Sequence, residues 1–527
     1  MRETMSNVLS RRPGFATRRA AVVISAITMI MTLSGALSGA AKPMIALGDL
    51  NWQGLWAFPT VGTMVPGGPG STSYSSGALA VRYVGLQRRF LVPTFTTTDP
   101  TTGQTFGDLV EWQAPSAQLY TGPNPMLAPT LVETRRWKDW TSLRSTPTWQ
   151  SSNGVRIGGL YWDEANGVLW YSAYGYYQSR NTPILGAVQL LDTVDGALGG
   201  QYRTVGTKSG PWWFRNNDPN DQNLVYWKSV YQWIVPVPSS AQIDLGNRQF
   251  LMGAATGSVP GQGNLGPGFQ ALNLPALSAP PNSVLANGLH LADYTSESTQ
   301  TPPHAWRDTN YRFYPGPPEV LGGLALDSSG TGLYNPSGGH GFWQMSQDNV
   351  NCFAWVETPT REGILMFGRI VHGGTWYGLN PRWSTPGSLR DPPNTSDPTR
   401  GLAEASNSYA SEIYNGALYG FDPAQVREVG RGARSPYSNG INPILLGDWH
   451  TQWPNIPMNK DDLSGTGVSP PISSNASNSC YWDSRASELI WVQPSSVDSQ
   501  SARPTMMIFT IGPSGAPSSP RNLRIVR

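Results

Sequence analysis

Hydrophobic and polar residues alternate along this chain in short runs that are typical of β-strands. The clearest run has the apolar sequence GLYW at residues 159–162, the polar turn DEANG at 163–167 and the apolar sequence VLWY at 168–171. Two apolar stretches joined by an Asp-to-Gly turn predict a β-hairpin. The same pattern returns as GLALD at residues 323–327, followed by Leu333 and Tyr334. This recurrence predicts a fold built from repeats.

The hairpin pattern recurs at a nearly regular spacing. The first two copies are 82 residues apart and the next step is 164, so a weaker copy is expected near residue 241. A second marker, a glycine followed by aromatic residues, comes 51 residues after Gly159 and again 51 residues after Gly323. Units of about 80 residues that are wholly strand-like predict four-stranded propeller blades. The copies begin near Gly77, Gly159, residue 241, Gly323, Gly416 and Ser479.

These six units predict an all-β fold, a six-bladed β-propeller over residues 41–512, with five or seven blades as alternatives. The last unit is short, and the residues before Gly77 supply about what it lacks. We therefore expect strands from both termini to share one blade, because an open ring would leave a bare strand edge. Residues 258–284, 382–407 and 457–478 are rich in Pro, Gly and Ser, which predicts loop insertions. Residues 513–527 are predicted to form a C-terminal tail.

The repeated hairpin also resembles the blades of known propeller families. The sequence at 323–327 with Leu333 and Tyr334 is similar to the strand–turn–strand signature of sugar-lactone-binding and related repeat propellers. The resemblance covers about fifteen residues in each unit and includes no catalytic motif. It implies the generic β-propeller architecture, and it implies no specific family.

The first 40 residues have the pattern of an export signal. Four arginines precede an apolar run from about residue 20 to 37, and the small residues SGAA follow at 38–41. The arginine pair with Phe15 resembles a twin-arginine signal, although Phe15 lies one position late, so both that route and the Sec route stay open. An uncleaved membrane anchor is the alternative. We expect a secreted or periplasmic protein with no stable membrane insertion after signal cleavage.

Charge and composition narrow the classes of function. The full chain has 36 basic and 34 acidic residues, but five basic and one acidic residue belong to residues 1–40, so the remainder has a net charge of about −2. This balance argues against a nucleic-acid partner. The chain has 58 Gly, 46 Pro and 21 Trp, which favours strands and turns over helices. Cys352 and Cys480 could form a disulfide in an exported protein or remain buried thiols.

The candidate ligand-binding residues are aromatic or lie beside glycines. Exposed aromatic faces stack on sugar rings, although large aromatics that repeat with the period could equally pack between blades. A histidine beside glycines suits a loop at a channel mouth. On these grounds we predict a ligand site formed by Trp212, Trp213, His340, His372, Trp376 and Tyr377. No two histidines have metal-ligand spacing on one element, so no metal site is expected, and the sequence leaves open whether the protein uses a cofactor.

The aspartates of the repeated pattern are predicted to fix turns. They are Asp163, Asp327, Asp422 and Asp483. An aspartate at the start of a short turn accepts hydrogen bonds from backbone amides two or three residues later. The alternative is a ring of carboxylates that performs acid–base chemistry. No Ser-nucleophile elbow or phosphate loop is present.

Export and aromatic content together favour an exported β-propeller that binds a carbohydrate or another extended ligand on a cell surface or in solution. Fold alone does not fix function, so two alternatives stay open. One is a glycan hydrolase or lyase with its site at the central channel, which Glu111, Asp163 and Glu357 could serve. The other is a structural or adhesion module of a surface assembly.

Overall fold

In the computed structural model, more than half of the described residues belong to strands, which are grouped into five sheets. The structure describes residues 42–59, 78–93, 108–141, 155–175, 185–214, 233–254, 268–292, 349–377, 409–456, 479–493 and 504–512, without 199, 286–287, 351, 437–439, 442 and 448. The described residues from Met44 onwards belong to one compact unit. The described part of the chain is a β-propeller, as the sequence predicted, and each sheet is one blade.

Four blades are each made from one continuous segment of the chain. The first blade contains β2 (Ala80–Val84), β3 (Gln87–Pro93), β4 (Leu109–Gln113) and β5 (Val132–Trp137). The second contains β6 (Val155–Asp163), β7 (Val168–Gly175), β8 (Leu185–Val194) and β9 (Arg203–Phe214). The third contains β10 (Trp233–Pro236), β11 (Phe250–Ala254), β12 (Gly268–Leu272) and β14 (Leu289–Ala292). The short strand β13 (Val284–Leu285) is added to the second blade, parallel to β9.

The fourth blade has an interrupted inner strand. Both β15 (Asn349–Val350) and β16 (Ala354–Glu357) pair with the long strand β17 (Glu362–Tyr377). Then follow β18 (Tyr409–Phe421) and β19 (Ile444–Gly447). Outside the strands, the described residues form 3-10 turns at Leu47–Asp49 and Pro125–Leu127 and short helices at Ser239–Gln242, Pro423–Gly430 and Trp449–Gln452.

The fifth blade is shared by the two ends of the propeller. It contains β20 (Ser479–Asp483), β21 (Glu488–Gln493), β22 (Thr505–Ile511) and, as its outermost strand, β1 (Leu50–Ala57). Strand β1 runs antiparallel to β22, with Leu50 opposite Ile511 and Ala57 opposite Thr505. The predicted closure by strands from both termini is therefore confirmed. Without β1, the backbone groups of β22 would form an open edge.

Five hydrophobic clusters lie between the blades and close the ring. Each cluster combines side chains from two neighbouring sheets, in the order first–second, second–third, third–fourth, fourth–fifth and fifth–first. The strand β21 shows how this works, since Leu489 and Trp491 face the fourth blade while Ile490 and Val492 face the first. Successive side chains of a strand point to opposite faces, and both faces of each sheet are buried. This explains why the strands are apolar along most of their length.

The prediction of six blades is wrong, and the structure has the five of the first alternative. The error comes from Gly416, which was taken as the start of a separate hairpin. In the structure Gly416 lies inside β18, opposite Arg369 of β17, in the middle of the fourth blade. The following Asp422 does not open a hairpin turn. Its carboxylate accepts a hydrogen bond from the backbone nitrogen of Ala424 and caps the helix Pro423–Gly430.

Two further predictions from the repeat pattern are also wrong. The expected hairpin near residue 241 is the helical turn Ser239–Gln242, which connects β10 to β11. The predicted loop insertion at 258–284 contains β12, all of whose residues are buried. Because the segment is rich in Gly and Pro, the sequence pattern did not indicate β12. Both faces of this strand pack against neighbouring blades.

Several predictions concern residues outside the described part of the chain. These are the export signal at 1–40, the hairpin beginning at Gly323 with Asp327, the loops 382–407 and 457–478, and the tail 513–527. Among the described residues, no helix has the length and apolar character needed to cross a membrane.

Candidate functional site

The predicted ligand-binding residues do not form a site in the described structure. Trp212 is fully buried between the second and third blades, where its ring packs against that of Trp170 at a centroid distance of 5.6 Å. Its indole nitrogen donates to the backbone oxygen of Ala279 at 3.3 Å. This placement matches the packing alternative. The neighbouring Trp213 lies in β9, where its backbone is paired with that of Val284, and its side chain is outside the description.

The other predicted site residues lie on β17 or outside the described residues. His372, Trp376 and Tyr377 belong to β17, with side chains that are not described, and His340 is outside the described ranges altogether. The 51-residue spacing that linked Trp212 to Trp376 does not mark equivalent positions. Trp212 lies in the fourth strand of its blade, and Trp376 lies in the second strand of its own. A ligand-binding role for these residues stays a prediction.

A cavity of about 470 Å³ lies at the centre of the ring, where the innermost strands meet. Those strands are β2, β6, β10, β16 and β20, and each contacts the next around the circle. All five contribute to the cavity wall, mostly through the residues that end each strand and begin the next turn. A cavity of this volume lies in the range of about 300–1,000 Å³ that is usual for small-molecule sites.

Aromatic rings and charged groups share the cavity wall. The aromatic residues come from four blades and are Tyr83, Tyr161, Trp162, Phe353, Trp355, Tyr481 and Trp482. The charged residues are Glu164, Glu357, Asp483 and Arg485. Rings with few polar groups at defined places are what a pocket for a polar organic molecule needs, because the rings supply contact area and the polar groups fix orientation.

A polar network at the cavity edge joins the fifth blade to the first. The Tyr83 hydroxyl donates to Oδ2 of Asp483 at 2.7 Å, and the Arg88 guanidinium donates to the same oxygen at 3.2 Å. The other oxygen of Asp483 accepts from the backbone nitrogens of Arg485 and Ala486, at 3.2 and 3.3 Å. Asp483 is only 3% exposed. Its carboxylate thus fixes its own turn and also holds two side chains of a neighbouring blade.

Two of the cavity tryptophans have an arginine packed against the ring. The guanidinium of Arg82 lies between the rings of Trp162 and Trp137, at 5.2 and 5.3 Å from their centroids. Arg82 is in turn bound by the fully buried carboxylate of Glu111. In the fourth blade, the Trp355 indole donates to Glu362 at 2.8 Å, and that carboxylate is paired with an arginine of the helix Pro423–Gly430. These contacts hold the rings in place before any ligand arrives.

Three tyrosines of the cavity keep their protons. Burial raises the pKa of the Tyr83 phenol, and the hydrogen bond to Asp483 raises it further. Burial also raises the pKa of Tyr161 and of Tyr481, with a smaller contribution from the negative charge of Asp163 and of Asp483 respectively. The hydroxyls of Tyr161 and Tyr481 form no hydrogen bond with the part of the protein that the structure describes. They can therefore act as donors to a ligand.

The disulfide Cys352–Cys480 lies in the cavity region and joins the fourth blade to the fifth. Cys352 lies two residues before the start of β16, and Cys480 lies in β20 and lines the cavity, with a Cα–Cα distance of 4.8 Å between them. Of the two states that the sequence left open, the structure shows the bridge. Within the described ranges, no group of three or more His, Cys, Asp or Glu side chains is placed to hold a metal ion.

The turn role predicted for the aspartates is confirmed for Asp163 and Asp483, whereas Asp422 caps a helix and Asp327 lies outside the described residues. Asp163 accepts hydrogen bonds from the backbone and side chain of Asn166, at 3.2 and 2.7 Å, and Asp483 and Asp422 accept from backbone amides as described above. Of the cavity residues, only Glu357 and Asp483 were among the candidates from the sequence, both in the alternative readings, and the aromatic lining was missed. One signal was present, because the triplet Tyr-Trp-Asp occurs at residues 161–163 and again at 481–483. The Tyr and Trp of both copies line the cavity, as does the Asp of the second copy.

Comparison with known proteins adds little to this description. No protein-family model matches the chain, and no curated protein matches it. Among solved structures, a glycosyl hydrolase from Bacteroides ovatus aligns over 89% of this chain and 93% of its own, with 11% identity and a TM-score of 0.35. A second comes from work on the GH130 family of mannoside phosphorylases, which contains glycoside hydrolases that target β-1,2 mannosidic linkages in Candida mannan. It covers 89% of this chain and 96% of its own, at 9% identity and a TM-score of 0.33. Similarities this slight carry no argument about function.

Proposed function

We propose that this protein is an exported β-propeller that binds a small carbohydrate or a similar polyhydroxy ligand in its central cavity. The observation that carries the proposal is the cavity of about 470 Å³ whose wall combines aromatic rings from four blades with hydroxyl, carboxylate and guanidinium groups. A sugar ring presents an apolar face for stacking and a rim of hydroxyls for hydrogen bonds. Both kinds of partner are present on the same wall.

The two tyrosines without a described hydrogen-bond partner give the sharpest test. Replacing Tyr161 or Tyr481 by Phe removes one hydroxyl from the cavity and leaves the ring in place. A hydrogen bond to the ligand is worth about 1 kcal/mol, so each variant should bind about fivefold more weakly. The matched control is Tyr202→Phe, whose hydroxyl contacts Asp108 away from the cavity.

The measurement is a glycan array probed with the purified protein, followed by isothermal titration with the sugars that bind. Equal affinities of wild type, Tyr161→Phe and Tyr481→Phe would contradict binding in the cavity. A parallel variant, Trp376→Ala, tests the residues predicted from the sequence. If it loses binding while the cavity variants do not, the site lies at β17 instead.

The lining carboxylates favour one second candidate, a glycan hydrolase or lyase. Such enzymes use two acidic groups near the scissile bond, and Glu164 and Glu357 both line the cavity. Incubation with a panel of 4-nitrophenyl glycosides tests this reading. Turnover that is lost in both Glu164→Gln and Glu357→Gln would support an enzyme, and no release of nitrophenol from any substrate would argue for a binding protein.

Export is part of the proposal and rests on two observations. The first 40 residues have the pattern of a signal peptide, and Cys352 and Cys480 form a disulfide, which is typical of oxidising compartments. The test is the intact mass of the protein recovered outside the cytoplasm. A mass lacking about 40 N-terminal residues and two thiol hydrogens is expected, and a full-length reduced chain in the cytoplasm would contradict export.

A further inference from the structure

Most arginines around the central cavity are neutralised within the protein. Arg88 is paired with Asp483 and Glu488, and Arg82 with the buried Glu111. A ligand gains little from charges that already have partners, because it would have to compete with a neighbour held in place. Charges that lack such partners are the ones that can select a ligand.

Glu164 is one such charge. It follows Asp163 in the turn of the second blade, it is exposed, and it lines the cavity. Its Oε2 accepts a hydrogen bond from the neutral indole nitrogen of Trp162 at 2.7 Å. No arginine, lysine or histidine of the described ranges forms an ion pair with it. The Glu164 carboxylate is therefore an uncompensated negative charge beside an aromatic ring.

Arg485 is its counterpart in the fifth blade. Its guanidinium carbon lies 3.8 Å from the centroid of the Tyr83 ring, at the cavity wall. Its backbone nitrogen bonds to Asp483, but its guanidinium has no carboxylate partner in the part of the chain that the structure describes. Stacking on Tyr83 orients the guanidinium and leaves its N–H donors for another acceptor.

These two charges come from turns that lie on either side of the first blade. Glu164 belongs to the second blade and Arg485 to the fifth, both blades contact the first, and the two side chains form no ion pair with each other. We infer that the cavity selects a ligand that carries both a positively charged amine and a carboxylate, such as an amino sugar acid. The inference rests on the proposed function and specifies the ligand class of the same cavity.

The chemistry of the wall fits each end of such a ligand. An ammonium group is attracted both by a carboxylate and by the faces of aromatic rings, which Glu164 and Trp162 supply together. A carboxylate forms two parallel hydrogen bonds with a guanidinium, which Arg485 can supply. Each charged contact is expected to tighten binding about tenfold relative to the neutral sugar.

Four sugars with the same six-membered ring provide the test. Glucose is neutral, glucosamine carries an amine, glucuronic acid carries a carboxylate, and muramic acid carries both. Their affinities are measured by isothermal titration at about pH 6, where the amine is protonated and the carboxylates are ionised. We expect muramic acid to bind most tightly and glucose most weakly, with the other two between them.

Two variants assign the preference to the two side chains. Arg485→Gln is expected to remove the tenfold preference for a carboxylate and to keep the preference for an amine. Glu164→Gln is expected to do the reverse. Each preference is measured as the ratio of two affinities within one variant, so an equal change in the affinity for every sugar does not count. The matched controls are Arg203→Gln and Glu428→Gln, which alter charges outside the cavity lining and should leave all four affinities unchanged.

The outcomes separate the inference from the proposed function. If all four sugars bind equally and Tyr481→Phe weakens each of them, the cavity binds sugars but does not select charge, and the inference is overturned. If the preferences exist but survive both Arg485→Gln and Glu164→Gln, the assignment to these residues is overturned. If no sugar binds at all, the inference and the carbohydrate proposal fail together.

Discussion

The two hairpins that carry the triplet Tyr-Trp-Asp have the same local design and different surroundings. In the second blade, Asp163 lies opposite Val168, and in the fifth blade Asp483 lies opposite Glu488. Each therefore spans four turn residues. Asp163 is half-buried and accepts hydrogen bonds only from Asn166 among the described residues. Asp483 is buried and also holds Tyr83 and Arg88 of the first blade.

The same sequence triplet therefore stabilises only a turn in one blade, and both a turn and a contact between two blades in the other. In the second blade the aspartate fixes its own turn, so its contribution is local. In the fifth blade the same residue type is part of the junction between the last blade and the first. The turn sequence alone does not distinguish the two cases, because the additional partners come from residues about 400 positions away.

The largest expected difference between the two hairpins comes from Cys480, which occupies the position equivalent to Leu160 of the second blade. The disulfide with Cys352 closes a loop across a sequence separation of 128 residues. Replacing both cysteines by Ala should lower the free energy of unfolding by roughly 2–4 kcal/mol, measured by denaturant titration without reductant. The same titration with reductant is the control, since wild type and variant should then be much closer. An unchanged difference under reduction would contradict a contribution from the bridge.

The next prediction compares the aspartates directly. Asp483→Ala removes a buried carboxylate and leaves Tyr83 and Arg88 without one of their acceptors, whereas Asp163→Ala removes only turn hydrogen bonds. The free energy of unfolding should fall by about 2 kcal/mol more in Asp483→Ala than in Asp163→Ala. Denaturant midpoints of the two variants, compared at equal m-values, measure this. Equal losses would show that the contact between the blades adds nothing to stability.

The tyrosines of the two triplets predict a difference at high pH. Burial raises the pKa of both phenols, and the shift is larger for Tyr481 than for Tyr161. A group whose folded pKa is raised keeps its proton in the folded state, so its contribution to stability is complete below about pH 10 and is lost as the pH rises above it. The unfolding midpoint should therefore decline above about pH 10. Tyr481→Phe should flatten that decline more than Tyr161→Phe, and identical pH profiles would contradict the prediction.

The smallest expected effect is in the last residue of each turn. Gly167 has φ = 63° in one hairpin, and Ser487 has φ = 55° in the other. A residue with a Cβ atom is strained in this left-handed region, whereas glycine is not. Ser487→Gly should raise the unfolding free energy by about 0.5 kcal/mol, and Gly167→Ser should lower it by a similar amount. Thermal unfolding of the two variants provides the check, and shifts of the same sign would contradict it.

The sequence was sufficient for the propeller class and its closure, and insufficient for the number of blades. Burial of both strand faces gives apolar runs that are easily recognised, and the short last unit indicated a shared blade. The predicted number of blades was wrong because of the apolar run that begins at Gly416. This run is followed by an aspartate, as the first strand of each predicted hairpin is. Whether that aspartate opens a turn or caps a helix depends on the residues after it, which here begin with Pro423.

The candidate site was harder to predict than the fold for a physical reason. Its wall combines ends of five strands that are separated by roughly 75 to 125 residues along the chain. Only the closed ring brings them together, so no local pattern marks them. The aromatic residues that were predicted instead follow glycines in the sequence. In the one case with a described side chain, Trp212, the ring fills the space between two blades.

The placement of β1 beside β22 has a consequence for how the molecule is made. Strand β1 precedes the other described strands along the chain and β22 follows them, so β1 is synthesised well before its partner. A chain that stops before Ser479 would contain the strands of the first four blades, and β1 would have no sheet to pair with. The fifth blade can therefore be completed only after β22 has been synthesised, and until then the backbone groups of β1 have no partner strand.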